Sequence, residues 1–171
     1  MKNNIIYPPT LSLDFFHKNI ILNGENIRVQ IFDTNGTERF NSVTCNYLRK
    51  LHGCFIIFDI TDNESFNDVN RWIQLYKDYN EFDKKIMIIL GNKNDLKERK
   101  ITFKKAQNLA DNFNLIYLET SAKNITTINE AFNIMIEEIL KSEEYKTKLN
   151  KNNSQKLSEL KLKKQSIMLC C

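Results

Sequence analysis

The stretch Ile86-Met87-Ile88-Ile89-Leu90-Gly91-Asn92-Lys93-Asn94-Asp95-Leu96 passes from a continuous apolar run into a polar turn that carries a carboxylate. A run of this kind suits a parallel strand covered on both faces. In open α/β sheets, ligands meet the loops beyond the carboxyl ends of such strands. Two further runs flank it, Cys54-Phe55-Ile56-Ile57-Phe58 before and Leu115-Ile116-Tyr117-Leu118 after.

Helical spacing fills the intervals. Phe66, Val69, Ile73 and Tyr76 fall on one face, as do Ala106, Leu109, Ala110 and Phe113 behind a Thr102 N-cap. A third stripe runs through Ile128, Ala131, Phe132, Met135, Ile139 and Leu140, opened by a Thr127/Glu130 capping box. Upstream, residues 11–22 and 27–33 read as a hairpin turning at Asn23-Gly24, both tolerant of positive φ. The order is strand–strand–helix, then three further strand–helix units. This predicts an α/β domain over 1–141, with a mostly parallel sheet and helices on both faces. From about residue 142 the apolar period weakens into Lys, Asn, Ser and Gln, which predicts a flexible basic tail over 142–171.

Charge agrees with that division. The 171 residues carry a net +4, but residues 141–171 hold eight Lys and three Glu, leaving 17 basic and 18 acidic residues before them. A near-neutral body argues against a nucleic-acid face, whereas a basic arm suits an anionic membrane surface. No apolar run approaches the ~20 residues of a membrane span, and the N-terminus lacks a signal peptide's apolar core. Four cysteines, two of them adjacent at the end, make no disulfide framework; the reading is cytoplasmic and reducing.

Three loops can carry chemistry. After the second strand comes Phe32-Asp33-Thr34-Asn35-Gly36-Thr37-Glu38-Arg39-Phe40; Asp33 can hold Mg²⁺ through water while the Gly36 amide faces a phosphate. An ordinary turn explains Asp-x-x-Gly equally well. After the fourth strand, the Asp95 carboxylate can accept both edge N–H groups of guanine, and the Lys93 stem can lie over the base; a polar turn is the plain alternative. After the fifth come Glu119-Thr120-Ser121-Ala122-Lys123, whose Ala122 N–H can meet the guanine carbonyl oxygen, or which form only a helix cap. Their occurrence together, in order, on one edge of one sheet makes chance assembly improbable.

With those residues in view, the chain resembles a Ras-superfamily GTPase, specifically a Rab. FDTNGTERF (32–40) is similar to the family's WDTAGQERF, and NSVTCNYLRKLHGCFIIFDITDNESF (41–66) to the segment that follows it. GNKNDL (91–96) and ETSAK (119–123) resemble the guanine-binding motifs, and the likeness runs from residue 7 to about 140. YPPTLSLDF (7–15) aligns with switch I, with Ser12 where the family has Gly.

The resemblance implies a P-loop-NTPase-like, Ras-type G domain that binds GTP or GDP with Mg²⁺. Asn92 and Asp95 would read guanine, Lys93, Ser121, Ala122 and Lys123 would brace it, and Gly36 would sense the γ-phosphate. Thr10 and Asp33 would hold the metal. Phe15, Phe32 and Tyr47 would match the family's exposed aromatic triad on the effector surface, with a place in the core as the plain alternative. Cys170-Cys171 matches the double-cysteine ending that carries geranylgeranyl groups. Two lipid chains, or one with a polybasic stretch such as Lys161, Lys163 and Lys164, anchor stably where one chain does not. Implied partners are effectors, an exchange factor, a GTPase-activating protein, and an escort protein or GDP-dissociation inhibitor. The protein would cycle between cytoplasm and the cytosolic face of an endomembrane.

Two departures stand out. The family opens with a buried strand, the Walker A loop GxxxxGK[ST] and a helix; here only nine residues precede Thr10. The four glycines, at 24, 36, 53 and 91, do not form that pattern, so the loop's cradle of N–H groups and its Lys for the β- and γ-phosphates are absent, which weighs against nucleotide binding and hydrolysis by the chain as written. The domain therefore reads as N-terminally truncated, with an unrecorded upstream segment preferred over a genuine short product. Because the family's first strand lies between those at 27–33 and 53–59, two facing edges are expected to lack a partner. Second, the switch II Gln is Thr37, whose hydroxyl is too short to orient the attacking water, so hydrolysis is expected to be slow. The leading expectation is a GTP-binding switch in vesicle traffic. The alternative is a non-catalytic binding module for effectors or escort proteins. A flavodoxin-like protein fits less well, because the loops lack a Ser/Thr/Gly phosphate cluster.

Overall fold

Gly24, at φ +79°, closes the hairpin between β1 (Asp14–Leu22) and β2 (Glu25–Asp33), with Leu22 opposite Glu25. A side chain at that φ would be strained, so glycine suits the turn. The computed structural model describes residues 14–22, 24–33, 51–78, 86–142 and 163–170.

Beyond the hairpin lie β3 (Gly53–Asp59), α1 (Asn63–Asp78), β4 (Ile86–Asn92), α2 (Phe103–Asn112), β5 (Ile116–Glu119), α3 (Ile125–Lys141) and β6 (Lys163–Cys170). The sheet order is β1-β2-β6-β3-β4-β5, with only the β1–β2 pair antiparallel. The expected α/β architecture is thus present. The helix expected after the second strand falls in residues 34–50, outside the described residues.

Alternation along the strands sorts the core onto two faces. Cys54, Ile56 and Phe58 of β3, with Met87 and Ile89 of β4, meet α1 and α2 through Val69, Trp72, Ile73, Ala106 and Ala110. Phe55, Ile88 and Leu90 face the other way, onto Ala131, Met135, Ile136 and Ile139 of α3. The Phe55 and Phe132 rings meet edge-on at 5.3 Å. Gly53 lets α3 approach: a Cβ there would collide with Met135 Sδ.

Two helix starts differ in detail. Thr102 caps α2 as expected, its Oγ1 accepting from Lys105 N at 3.2 Å. For α3 the cap is Asn124, whose Oδ1 accepts from Thr126 N at 3.1 Å; the Thr127/Glu130 capping box does not form. Thr127 lies inside the first turn, where its Oγ1 donates to Asn124 O at 2.9 Å.

The main correction concerns the tail. The sequence predicts flexibility throughout 142–171, yet residues 163–170 form β6 in the middle of the sheet. Its backbone runs parallel to β2 from Ile27↔Lys163 to Asp33↔Leu169, and to β3 from Gly53↔Ile167 to Ile56↔Cys170. The facing edges of β2 and β3 are therefore not left without a partner. Unpaired backbone groups in a sheet interior cost free energy, and that demand outweighs the weak strand signal of the segment.

Candidate guanine-binding site

Parallel pairing brings the carboxyl ends of β4 and β5 side by side, with Gly91 opposite Glu119. The two loops beyond are tied together through their backbones. Thr120 N donates to Gly91 O at 2.9 Å, and Asn94 N donates to Thr120 O at 3.1 Å. Residues 92–95 and 120–123 thus form one surface although they lie far apart in sequence.

Asp95 sits at its centre. Its Oδ1 accepts from Ser121 Oγ at 2.6 Å and its Oδ2 from Lys123 Nζ at 2.9 Å. Ser121 is buried and held in turn: its N–H donates to Thr127 Oγ1 at 3.2 Å, and its Oγ accepts from Lys123 N at 3.1 Å. The Ser121 hydroxyl first, then Lys123, hold the Asp95 carboxyl below its ordinary range, so it stays an acceptor across physiological pH. Each carboxylate oxygen has a second lone pair, which leaves Asp95 capacity for two further donors such as the edge N–H groups of guanine.

Lys93 takes the left-handed conformation, φ +66°, and its Nζ lies 2.5 Å from Asp59 Oδ2 at the end of β3. Asp59 is fixed by Thr61, whose N–H and Oγ1 both donate to Oδ1, at 2.8 and 2.7 Å. Partial burial pushes the Asp59 carboxyl up, but the hydrogen bonds from Lys93 and Thr61 outweigh it and the net shift is down. The Lys93 head is therefore held at the end of β3.

Glu119 braces the floor. Arg99 grips it with two 2.7 Å hydrogen bonds, and Tyr117 OH donates to it at 2.9 Å. The Arg99 contact, ahead of the opposing effect of burial, lowers the Glu119 carboxyl; burial, then Glu119, pushes the Tyr117 hydroxyl up. Gly91 passes so close to Tyr117 that a Cβ would strike the hydroxyl.

Beside this surface a cleft of about 250 Å³ runs between the sheet and α3, walled by Phe55, Ile57, Leu90 and Phe132. Asn92, Thr120 and Ala122 also line it. An apolar wall with a few convergent polar groups is the usual form of a small-molecule site.

The sequence-predicted residues divide accordingly. Asn92, Lys93, Asp95, Ser121, Ala122 and Lys123 are brought together. Asp33 is the last residue of β2, half-buried at the same edge of the sheet. Thr10, Gly36, Thr37, Tyr47 and Cys171 lie outside the described residues. Cys170 is a residue of β6. The aromatic triad needs correction: Phe15 is 60% exposed, but Phe32 is only 6% exposed and belongs to the core, because the β2 alternation turns it towards the α1–α2 face. Sequence reading missed Asp59, Arg99 and Tyr117 at the site, and gave Thr127 a capping role where it accepts from Ser121 N. A carboxylate two residues before Thr61 at a strand end was the available signal for the first.

The groups present fit the base half of a guanine nucleotide: a fixed carboxylate acceptor, a lysine stem and an apolar wall. For Mg²⁺, Asp33 has suitable donor chemistry, and among the described residues no cluster of three or more His, Cys, Asp or Glu could hold a metal ion.

Residues 3–141 match the Ras family. The chain belongs to that family, in its Rab branch. It is 42% identical over 137 residues to "Ras-related protein Rab-1C" of Dictyostelium discoideum, covering 80% of this chain and 68% of the relative. It is 37% identical over 134 residues to "GTP-binding protein ypt1" of Schizosaccharomyces pombe, covering 78% and 66%. The likeness thus spans about two thirds of each relative's length.

Proposed function

We propose that this chain is a guanine-nucleotide switch that recruits effectors to an endomembrane in vesicle-mediated transport. The observation that carries the reading is the Asp95 carboxylate, fixed by Ser121 and Lys123 at the carboxyl edge of β4 and β5. Adenine presents a different donor and acceptor pattern to that carboxylate and is rejected. Asn92 and Ala122, which line the cleft beside Asp95, would border the base, and Lys93, its head held by Asp59, would brace it.

Mg²⁺ would be held by Asp33, with Thr10 as the family's second ligand, and would supply neutralisation of phosphate charge. Gly36 would report the γ-phosphate. Thr37 cannot orient the attacking water as a Gln does, so GTP persists and the switch rests in its GTP form. Cys170 and Cys171 would carry geranylgeranyl groups, with Lys161, Lys163 and Lys164 meeting anionic lipid.

Fluorescence titration of the purified chain with a GDP analogue and Mg²⁺, against ATP as competitor, tests the reading. Guanine-selective binding is expected; equal competition by ATP would overturn it.

One observation favours a second reading. β6 runs up to the carboxyl edge between β2 and β3, the part of such a sheet where phosphates are met. A binding module that uses the Rab surface without nucleotide would show no guanine nucleotide after purification. Its partner binding would be indifferent to GTP or GDP.

A further inference from the structure

The strand β6 contains three residues of the proposed membrane arm, Lys163, Lys164 and Cys170. β6 begins at Lys163, opposite Ile27, and ends at Cys170, opposite Ile56. Its backbone is hydrogen-bonded on both sides, to β2 and to β3, so it is an interior strand of the sheet.

This placement separates the two membrane signals. From position 163 to position 170 a strand advances about 23 Å at ~3.3 Å per residue. The Lys163–Lys164 backbone therefore lies at the amino edge of the sheet and Cys170 at the carboxyl edge. A bilayer surface cannot meet lysines and lipidated cysteines together while the segment stays in place. Nor is there slack in the backbone at position 170, because Cys170 is itself a paired residue. Lipidation forms a C–S bond at the cysteine sulfur. It breaks the C–O bond between the allylic isoprenyl carbon and its diphosphate, which leaves as inorganic diphosphate while the thiol proton passes to solvent. An enzyme performing it must reach the cysteine sulfur, and the backbone at position 170 is engaged with β3.

We propose that the facing edges of β2 and β3 form a strand-accepting surface whose partner is this chain's own segment 163–170, so that the segment serves either the sheet or the membrane. Insertion sequesters the attachment site, and attachment vacates the sheet. Sheet completion and membrane residence thereby exclude one another. This inference rests on the reading of Cys170 and Cys171 as attachment points.

Hydrogen–deuterium exchange on the full 171-residue chain, with peptide-resolved mass spectrometry, tests it. In the unmodified chain the amides of 163–170 are expected to exchange at least 100-fold more slowly than unstructured amides. That protection is expected to vanish once the chain has been lipidated with geranylgeranyl diphosphate and a protein prenyltransferase and bound to 4:1 phosphatidylcholine:phosphatidylserine vesicles. Ile167→Pro removes an N–H at a position paired with both Ile31 and Gly53, and proline is excluded from interior strands. This variant is expected to be lipidated at least 10-fold faster than the natural chain.

Unstructured exchange at 163–170 in the unmodified chain would overturn the proposal. Undiminished protection in the lipidated, vesicle-bound chain would overturn it too, while leaving the attachment reading intact. Equal lipidation rates for the two chains would do the same. Should Ile167→Pro fail to fold, the exchange of the natural chain before and after lipidation decides alone. No lipid uptake by either chain would remove the attachment reading and the exclusivity with it.

Discussion

Glu119 shows how one side chain can set a loop without touching a ligand. It accepts from Arg99 and Tyr117 just before the Ser121–Lys123 turn, and so fixes where that turn leaves β5. Its folded carboxyl lies below the ordinary value of 4.5. The stability it contributes is therefore fully present above about pH 4.5, and it is lost as pH falls through the lower folded value. Glu119→Gln is expected to cost about 1–2 kcal/mol at pH 7, the usual worth of a charged hydrogen bond near the surface. Urea denaturation of both chains at pH 7 and pH 3 checks this: the gap should be open at pH 7 and narrow in acid. Neither Arg99 nor Asp59 was legible beforehand. Arg99 acts through Glu119, 20 residues away, and leaves no local pattern; Asp59 leaves only the short-range one with Thr61, while its other partner, Lys93, is distant in sequence.

The strands and helices that were legible are those whose side chains alone decide their environment. β3 and β4 read as buried because both faces are apolar, and α1 and α2 because a 3.6-residue stripe meets a sheet. The start of α3 was misread because Asn124 and Thr127 are both good caps, and the choice between them rests on Ser121 taking up Thr127 Oγ1. The contact between β4 and β5 depends on Gly91. Gly91→Ala would place a methyl group against Tyr117 OH and the Ile60 side chain. It is expected to cost about 1–3 kcal/mol, the usual range for overpacking, and to weaken guanine binding by moving Tyr117 off Glu119. Thermal denaturation and a GDP titration of the same variant check both effects; unchanged values for both would show that the contact yields freely.

For the molecule as a whole, the hidden element was β6. Lys163-Lys164-Gln165-Ser166-Ile167-Met168-Leu169-Cys170 has no alternation and follows a polar stretch, so local pattern assigns it to a tail. What places it in the sheet is a demand made elsewhere, by the backbone edges of β2 and β3. Removing residues 163–171 is accordingly expected to abolish a single cooperative thermal transition, since β1 and β2 would lose their strand connection to β3. Calorimetry of the shortened chain checks this; an unchanged, cooperative transition would mean that β6 contributes little. The likeness of residues 3–141 to the Ras family was legible because its motifs are local.

The site itself was read from three loops, and the Asp95 carboxylate is the group on which a guanine switch depends. Isothermal titration of the 171-residue chain and of Asp95→Ala with GDP and with ADP, in the presence of Mg²⁺, tests that dependence most directly. The natural chain is expected to bind GDP and not ADP. Asp95→Ala is expected to lose about 10- to 100-fold in GDP affinity, as removal of a charged acceptor for two N–H groups implies. GDP binding of equal strength in both chains, or no preference for GDP over ADP in the natural chain, would contradict the assignment of this edge as a guanine-reading site.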